Sequence, residues 1–268
     1  MKTRLINALL LFCVALMATP VMLSCSVRSA QVNHAVHLPH KSFLFVIKRV
    51  TFSICNPEDK GECLPVGSAA ISGSGFLVAT NGTDTWGMTA GHVCVNEEIL
   101  LKGPDGQPFK PKMDSTMRVM VLGGAAYEAE IEEIYKTLDL CVVKIVGMNP
   151  DQIITVAQNP PKRGERHFVM AAPLGTFGPD MLPILEGFYN GSTMNYPPPM
   201  GGEQIPYDVF TIPTKGGSSG SPIVNASGEL VGVTSGTLVG FENIAFSPPY
   251  SGVRTVVESV QRRAKKGL

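Results

Sequence analysis

Short apolar runs separated by turns recur along most of this chain, and long helical patterns are few. Glycine (28) and proline (21) are plentiful among its 268 residues. Such punctuation favours an all-β chain with many turns. Candidate strands in the first half lie at 43–47, 73–80, 85–89, 99–102, 117–122, 127–134 and 140–145. Asn81-Gly82 supplies a hairpin signal between the second and third of them. A break falls at Gly147-Met148-Asn149-Pro150, and the rhythm restarts at 153–156, 167–172, 181–189, 207–212, 221–224, 230–235 and 244–247. Two consecutive sets of about six strands predict two barrels joined by one crossover. The period then changes. Val253, Val256, Val257 and Val260 share one helical face, and Gln261, Arg262, Arg263, Lys265 and Lys266 follow. This predicts an amphipathic C-terminal helix docked on a barrel, its basic tail suited to the negative end of the helix dipole.

The N-terminus stands apart from that rhythm. Lys2 and Arg4 precede an apolar run from Leu5 to about Leu23, the pattern of an export signal. Met22-Leu23-Ser24-Cys25 resembles a bacterial lipoprotein box, with Cys25 as the lipidated first mature residue and membrane attachment through it. Cleavage near Ala18 or Ala30, or an uncleaved anchor, are the alternatives. Residues 26–40 read as a linker, in which His34, His37 and His40 are exposed histidines rather than a metal site. Export places Cys55, Cys63, Cys94 and Cys141 where disulfides form. Cys55 and Cys63 bracket the turn-like segment 56–62, which suits a local bridge, and the four spacings do not make a zinc site. Lys plus Arg (22) balance Asp plus Glu (22), and there is no basic stripe, which argues against a nucleic-acid partner. No motif calls for a cofactor.

Chemistry concentrates at Gly216-Gly217-Ser218-Ser219-Gly220-Ser221-Pro222. Alone, this is a Gly/Ser-rich turn. A nucleophilic serine needs its hydroxyl projected from a tight turn and nearby N–H groups aimed at the developing oxyanion, which glycine permits. Two upstream pieces complete a set. Thr89-Ala90-Gly91-His92 ends a candidate strand, and Thr137-Leu138-Asp139-Leu140-Cys141-Val142 puts a carboxylate at the mouth of another. Serine requires a base, histidine titrates near neutrality, and a buried carboxylate fixes the histidine tautomer.

In this order the pieces resemble the chymotrypsin/trypsin-like serine proteases, most closely the bacterial HtrA-type branch. Gly73-Ser74-Gly75-Phe76-Leu77-Val78, Leu230-Val231-Gly232-Val233-Thr234-Ser235-Gly236 and Asn243-Ile244-Ala245-Phe246-Ser247-Pro248 extend the match over roughly residues 68 to 263. The resemblance implies a chymotrypsin-like fold of two six-stranded antiparallel β-barrels with a C-terminal helix. Residues 1–25 are then the signal peptide and 41–268 the protease domain, with barrels at 41–148 and 149–250 and the helix at 251–264. It implies Ser219 as nucleophile, His92 as general base and acid, Asp139 as orienting carboxylate, and the N–H groups of Gly217 and Ser219 as oxyanion hole. Ser218 and Ser221 flank the nucleophile, and the family pattern selects Ser219. Pro213, Thr214, Thr234, Ser235 and Gly236 fall where the family builds its primary pocket, and proline at 213 disfavours a Lys/Arg preference. Cys94 and Cys141 each lie two residues beyond a triad member, so they are expected close together, either bridged or as two packed thiols. The implied activity is serine endopeptidase on protein or peptide substrates, and the implied location is exported or membrane-anchored. The chain ends soon after the helix, leaving no room for the PDZ domain that HtrA-type relatives often carry. An α/β-hydrolase esterase fits less well, because its histidine comes last in the chain. The remaining alternative is a non-catalytic module that binds peptides on a protease-like barrel.

Overall fold

The computed structural model describes residues 36–55, 62–96, 98–102, 106–175 and 178–267. The lipoprotein box, Cys13, Cys25, His34 and the turn at 56–61 lie outside the described residues.

The first sheet is a closed barrel. Its strands are β1 (Phe43–Cys55), β2 (Cys63–Thr80), β3 (Asp84–Ala90), β6 (Lys112–Val121), β7 (Ala126–Tyr135) and β8 (Leu140–Val146), in the order β1-β2-β3-β8-β7-β6. Every neighbouring pair is antiparallel. The middle of β1 alternates strictly, with Val46, Lys48 and Val50 inward and Ile47 and Arg49 outward, the period-2 signature of a strand with one buried face. β1 and β2 run well past the predicted 43–47 and 73–80. Their outer halves pair from Lys48↔Ile71 to Cys55↔Cys63, and a disulfide joins the last pair. Apart from Ile71, the exposed residues of β2 from Gly67 to Ser72 are small or polar and carry no apolar period, which is why that half was illegible. The strand expected at 99–102 contracts to β4 (Leu101–Lys102), paired with β5 (Pro108–Phe109) outside the barrel.

The second sheet has seven strands, in the order β13-β12-β9-β10-β11-β15-β14. They are β9 (Arg166–Met170), β10 (Ile184–Thr193), β11 (Tyr207–Phe210), β12 (Pro222–Val224), β13 (Leu230–Val233), β14 (Gly236–Leu238) and β15 (Phe241–Ser247). The single strand expected at 230–235 is split. Thr234 accepts from Gly220 N (2.7 Å), and Ser235 N donates to Phe246 O (2.8 Å), so β13 and β14 become opposite ends of a curled half-barrel rather than one strand of a closed one. The segment 153–156 is not a strand. Ile154 N bonds Leu77 O of the first barrel (3.0 Å), while Val156 makes a lone bridge to Leu230, as befits a crossover between barrels. The end of the segment read as a linker packs against the second sheet, where His37 N donates to Ala226 O (3.2 Å).

One buried cluster spans both sheets and the C-terminal helix, Tyr250–Lys266. It joins Phe76, Val78, Leu140 and Val142 of the first barrel to Phe168, Val224, Leu230 and Val233 of the second, with Val253, Val256, Val257 and Val260 of the helix. The predicted helical face is the buried one. Gly267, at φ 69°, ends the helix in the left-handed region and returns its N–H to Ala264 O. Among the described residues no helix is long and apolar enough to cross a membrane.

Candidate active site

β3 ends at Ala90, and the four-residue helix Gly91–Cys94 carries His92 out of the first barrel. β7 leads through a 3-10 turn, Lys136–Leu138, to Asp139, which stands at φ 49°. It is the only non-glycine with positive φ among the described residues, and a side chain there costs on the order of 1–3 kcal/mol of strain. The strain is held by specific bonds. Gly91 N donates to Asp139 O (2.8 Å), and His92 N donates to Asp139 Oδ1 (2.8 Å). His92 Nδ1 lies 2.9 Å from Oδ2 and 3.1 Å from Oδ1, and Ser235 Oγ also donates to Oδ2. Asp139 is wholly buried, whereas the His92 side chain remains 30% exposed. The carboxylate accepts from Nδ1 and so orients the ring, leaving Nε2 to accept a proton.

The disulfide Cys94–Cys141 joins the helix that holds His92 to β8, just beyond Asp139. Of the two arrangements open in the sequence, the bridge is the one present. Lys48, buried inside the first barrel, donates to Val95 O at the end of the same helix.

The serine-bearing loop comes from the second barrel. Ser218 N donates to Lys215 O (2.9 Å), and Gly217 has φ 92°, the positive value that the third position of a type II turn requires. Among the described residues no acceptor pairs with the N–H of Gly217 or of Ser219. Gly220, at φ 86°, lies against the first barrel. A Cβ there would stand 2.1 Å from Ser74 O and 2.8 Å from Ala90 N, so only glycine lets the loop reach the turn that carries His92. Of the three adjacent serines, Ser218 and Ser221 are buried and Ser219 is partly exposed.

The residues expected around a primary pocket are dispersed in their contacts. Pro213 is exposed, Thr214 Oγ1 turns back to Ile212 O (3.0 Å), and Thr234 is buried. Ser235 faces Asp139. Gly236 opens β14 at the edge of the sheet.

Sequence reasoning missed the loop between β10 and β11. Tyr196 stacks on Phe246 (centroids 4.0 Å, planes 14° apart) and meets Tyr207 edge-on at 4.9 Å. Its hydroxyl sits 2.0 Å from where a Cβ on Gly236 would be, and Met200 Sδ lies 2.6 Å from the corresponding point on Gly91. Gln204 Nε2 pins the loop by donating to Met194 O and Tyr196 O (2.6 Å each). Burial, reinforced by the Asp139 charge, raises the hydroxyl pKa of both Tyr196 and Tyr207, so both stay protonated beside the carboxylate. Apart from its prolines this loop has no sequence pattern that could have announced the contact.

Residues 73–233 match the trypsin-like peptidase domain family. Mitochondrial serine protease HTRA2 of Drosophila ananassae is 26% identical over 200 residues, covering 74% of this chain and 41% of that protein, and the Drosophila grimshawi protein matches equally. The chain thus spans about two-fifths of the length of the curated relatives it matches. Among solved structures, the HtrA-type protease AlgW with a decapeptide superimposes with a TM-score of 0.61 at 15% identity, covering 86% of this chain and 67% of that one. The active form of the Rv3671c protease from M. tuberculosis gives 0.55 at 19% identity, covering 81% and 79%. With a family match over more than half its length and a chymotrypsin-like fold, the chain belongs to the trypsin-like peptidase domain family.

Proposed function

We propose that the domain is a serine endopeptidase that cleaves peptide bonds through an acyl-enzyme. The observation that carries this reading is the pairing of His92 Nδ1 with the buried Asp139 carboxylate at 2.9 Å, with the partly exposed Ser219 on the loop whose Gly220 packs against Ala90. Ser219 Oγ attacks the substrate carbonyl carbon while His92 Nε2 takes its proton. The oxyanion accepts from the N–H groups of Gly217 and Ser219, which no acceptor among the described residues occupies. His92 then protonates the leaving amine as the C–N bond breaks. Water attacks the acyl-enzyme by the same route and frees Ser219. The Asp139 carboxylate orients His92 and stabilises the imidazolium.

The substrate is an extended polypeptide. β14 lies at the sheet edge, where Gly236–Leu238 offers backbone groups to one more strand. Pro213 supplies no carboxylate for a Lys/Arg side chain, so a small or medium apolar residue is favoured before the cleaved bond. The two disulfides fit an oxidising compartment and support export; the leader pattern alone favours anchorage through Cys25.

Labelling by a fluorophosphonate probe and hydrolysis of a peptide library test the reaction class together. Wild type is expected to label and cleave, and Ser219→Ala to do neither, with turnover down by at least about 10⁴-fold. Full activity in Ser219→Ala would overturn the assignment. An unlabelled wild type that still binds peptides would favour the non-catalytic module.

A further inference from the structure

Ser74, the central residue of Gly73-Ser74-Gly75 on β2, is fully buried and makes hydrogen bonds in four directions. Its N–H donates to Ser219 O (2.8 Å). Its carbonyl accepts from Thr89 Oγ1 (2.7 Å), on the strand that leads to His92. Its hydroxyl accepts from Ala172 N (3.1 Å), just beyond β9 in the second barrel, and donates to Gly217 O (2.9 Å). A hydroxyl has one proton. Because Ala172 N–H points at the oxygen, that proton is directed to the Gly217 carbonyl.

From this we infer that Ser74 is a positioning residue for the oxyanion hole, acting through the Gly217 carbonyl. The inference rests on the proposed role of the Gly217 and Ser219 N–H groups. Glycine is permissive at φ 92°, and Gly216 precedes it, so the Gly216–Gly217 turn has little stiffness of its own. The Gly217 N–H lies in the Gly216–Gly217 peptide plane, which is joined to the Gly217–Ser218 plane only through the φ and ψ of Gly217, so its aim depends on the second plane being held. Ser218 N to Lys215 O holds one edge of the Gly217–Ser218 peptide plane, and the Ser74 hydroxyl holds its opposite edge through the Gly217 carbonyl. The Ser74 hydroxyl is wholly buried, so the bond keeps its directing strength. Ser74 touches no reacting atom. Its effect belongs to the transition state, where the N–H groups meet an oxyanion, and not to the binding of an uncharged substrate.

The experiment compares wild type, Ser74→Ala and Ser74→Thr, reading kcat and KM separately. It also measures affinity for a peptide boronic acid, which forms a tetrahedral anion on the serine, and for the matching uncharged product peptide. In Ser74→Ala, kcat is expected to fall about 10- to 100-fold, less than the loss of a whole oxyanion donor, with KM within about threefold. Boronate affinity should fall in parallel while product affinity holds, and Ser74→Thr, which keeps the hydroxyl, should recover most of kcat. Unchanged kcat in Ser74→Ala would overturn the inference, as would equal weakening of boronate and product. If Ser74→Ala does not fold, Ser74→Cys keeps the shape with a weaker donor, and it must then show the same split. The two levels separate cleanly. Wild type inert to the fluorophosphonate would sink the protease reading itself, whereas a labelled wild type with an indifferent Ser74→Ala would sink only the role of Ser74.

Discussion

Asp139 and His167 are both buried ionisable side chains, yet they meet opposite surroundings. Asp139 receives donors from His92 and Ser235, so its charge is met by hydrogen bonds. His167 is 1% exposed; its Nδ1 bonds only the Glu165 carbonyl (2.9 Å), and the Phe210 ring lies edge-on 5.4 Å away. Burial pushes the His167 pKa down, outweighing the Glu165 carbonyl that favours the proton, so the imidazole folds neutral. Below an unfolded-state pKa of about 6.5 the unfolded chain binds a proton that the folded chain refuses, so stability is full above that pH and falls as pH drops beneath it. In a Ser219→Ala background, which prevents self-cleavage, Tm should fall more between about pH 7.5 and pH 5 than in the same chain with His167→Gln. Equal losses in both chains would mean that His167 carries none of the acid sensitivity. The two residues also differ in legibility. Asp139 was visible because it opens an apolar strand after His92 in chain order, whereas His167 was one letter inside a candidate strand, its burial set by contacts from β10 and β11.

The loop between β10 and β11 shapes the cleft with side chains the sequence did not single out. Tyr196 stands over Gly236, whose Cβ would lie 2.0 Å from the tyrosine hydroxyl. Gly236→Ala must therefore displace Tyr196, and with it the start of the β14 edge proposed to pair with substrate. KM for extended peptides should rise several-fold, about 1 kcal/mol of binding by the usual arithmetic, with a smaller change in kcat. Because the offending atom is the hydroxyl, adding Tyr196→Phe should restore KM, and a double-mutant cycle on peptide kinetics reads the coupling. Additive effects would show that the two residues do not compete for this space. Elements with a continuous apolar run or a helical apolar period were readable, as at β8 and the C-terminal helix respectively. The outer half of β2 was not, since its pairing to β1 comes from backbone bonds and the Cys55–Cys63 bridge rather than from a buried face. The segment 153–156 reads as a strand in sequence but is none, for the converse reason. Its apolar residues fill the crossover between barrels, where Ile154 is wholly buried without a ladder of its own.

At the scale of the molecule, two sheets and one helix share a core, and the proposed catalytic groups straddle the join. His92 and Asp139 come from the first barrel and Ser219 from the second, so their register depends on how firmly the halves are held. The helix is one of the fasteners. Near its start, Tyr250 N donates to Asp208 Oδ2 (2.8 Å) and Arg254 Nη1 to Gln158 O (2.9 Å), both in the second half. Near its end, Gln261 Nε2 donates to Val78 O (3.1 Å) and Arg263 Nη1 to Glu133 Oε2 (2.9 Å), both in the first. Sequence periodicity identified the buried valines but not the pair of barrels they meet, because nothing in a helical face names its partner. Val257 is wholly buried in the cluster that contains residues of both barrels. Truncation to alanine removes two methyl groups and leaves a gap, costing on the order of 2 kcal/mol. If the core is continuous, Val257→Ala should lower Tm while unfolding remains a single transition, with near-UV circular dichroism and loss of fluorophosphonate labelling tracking together. Two separated transitions, one barrel melting before the other, would refute a shared core and would make the geometry of the site a matter of docking between independently stable halves.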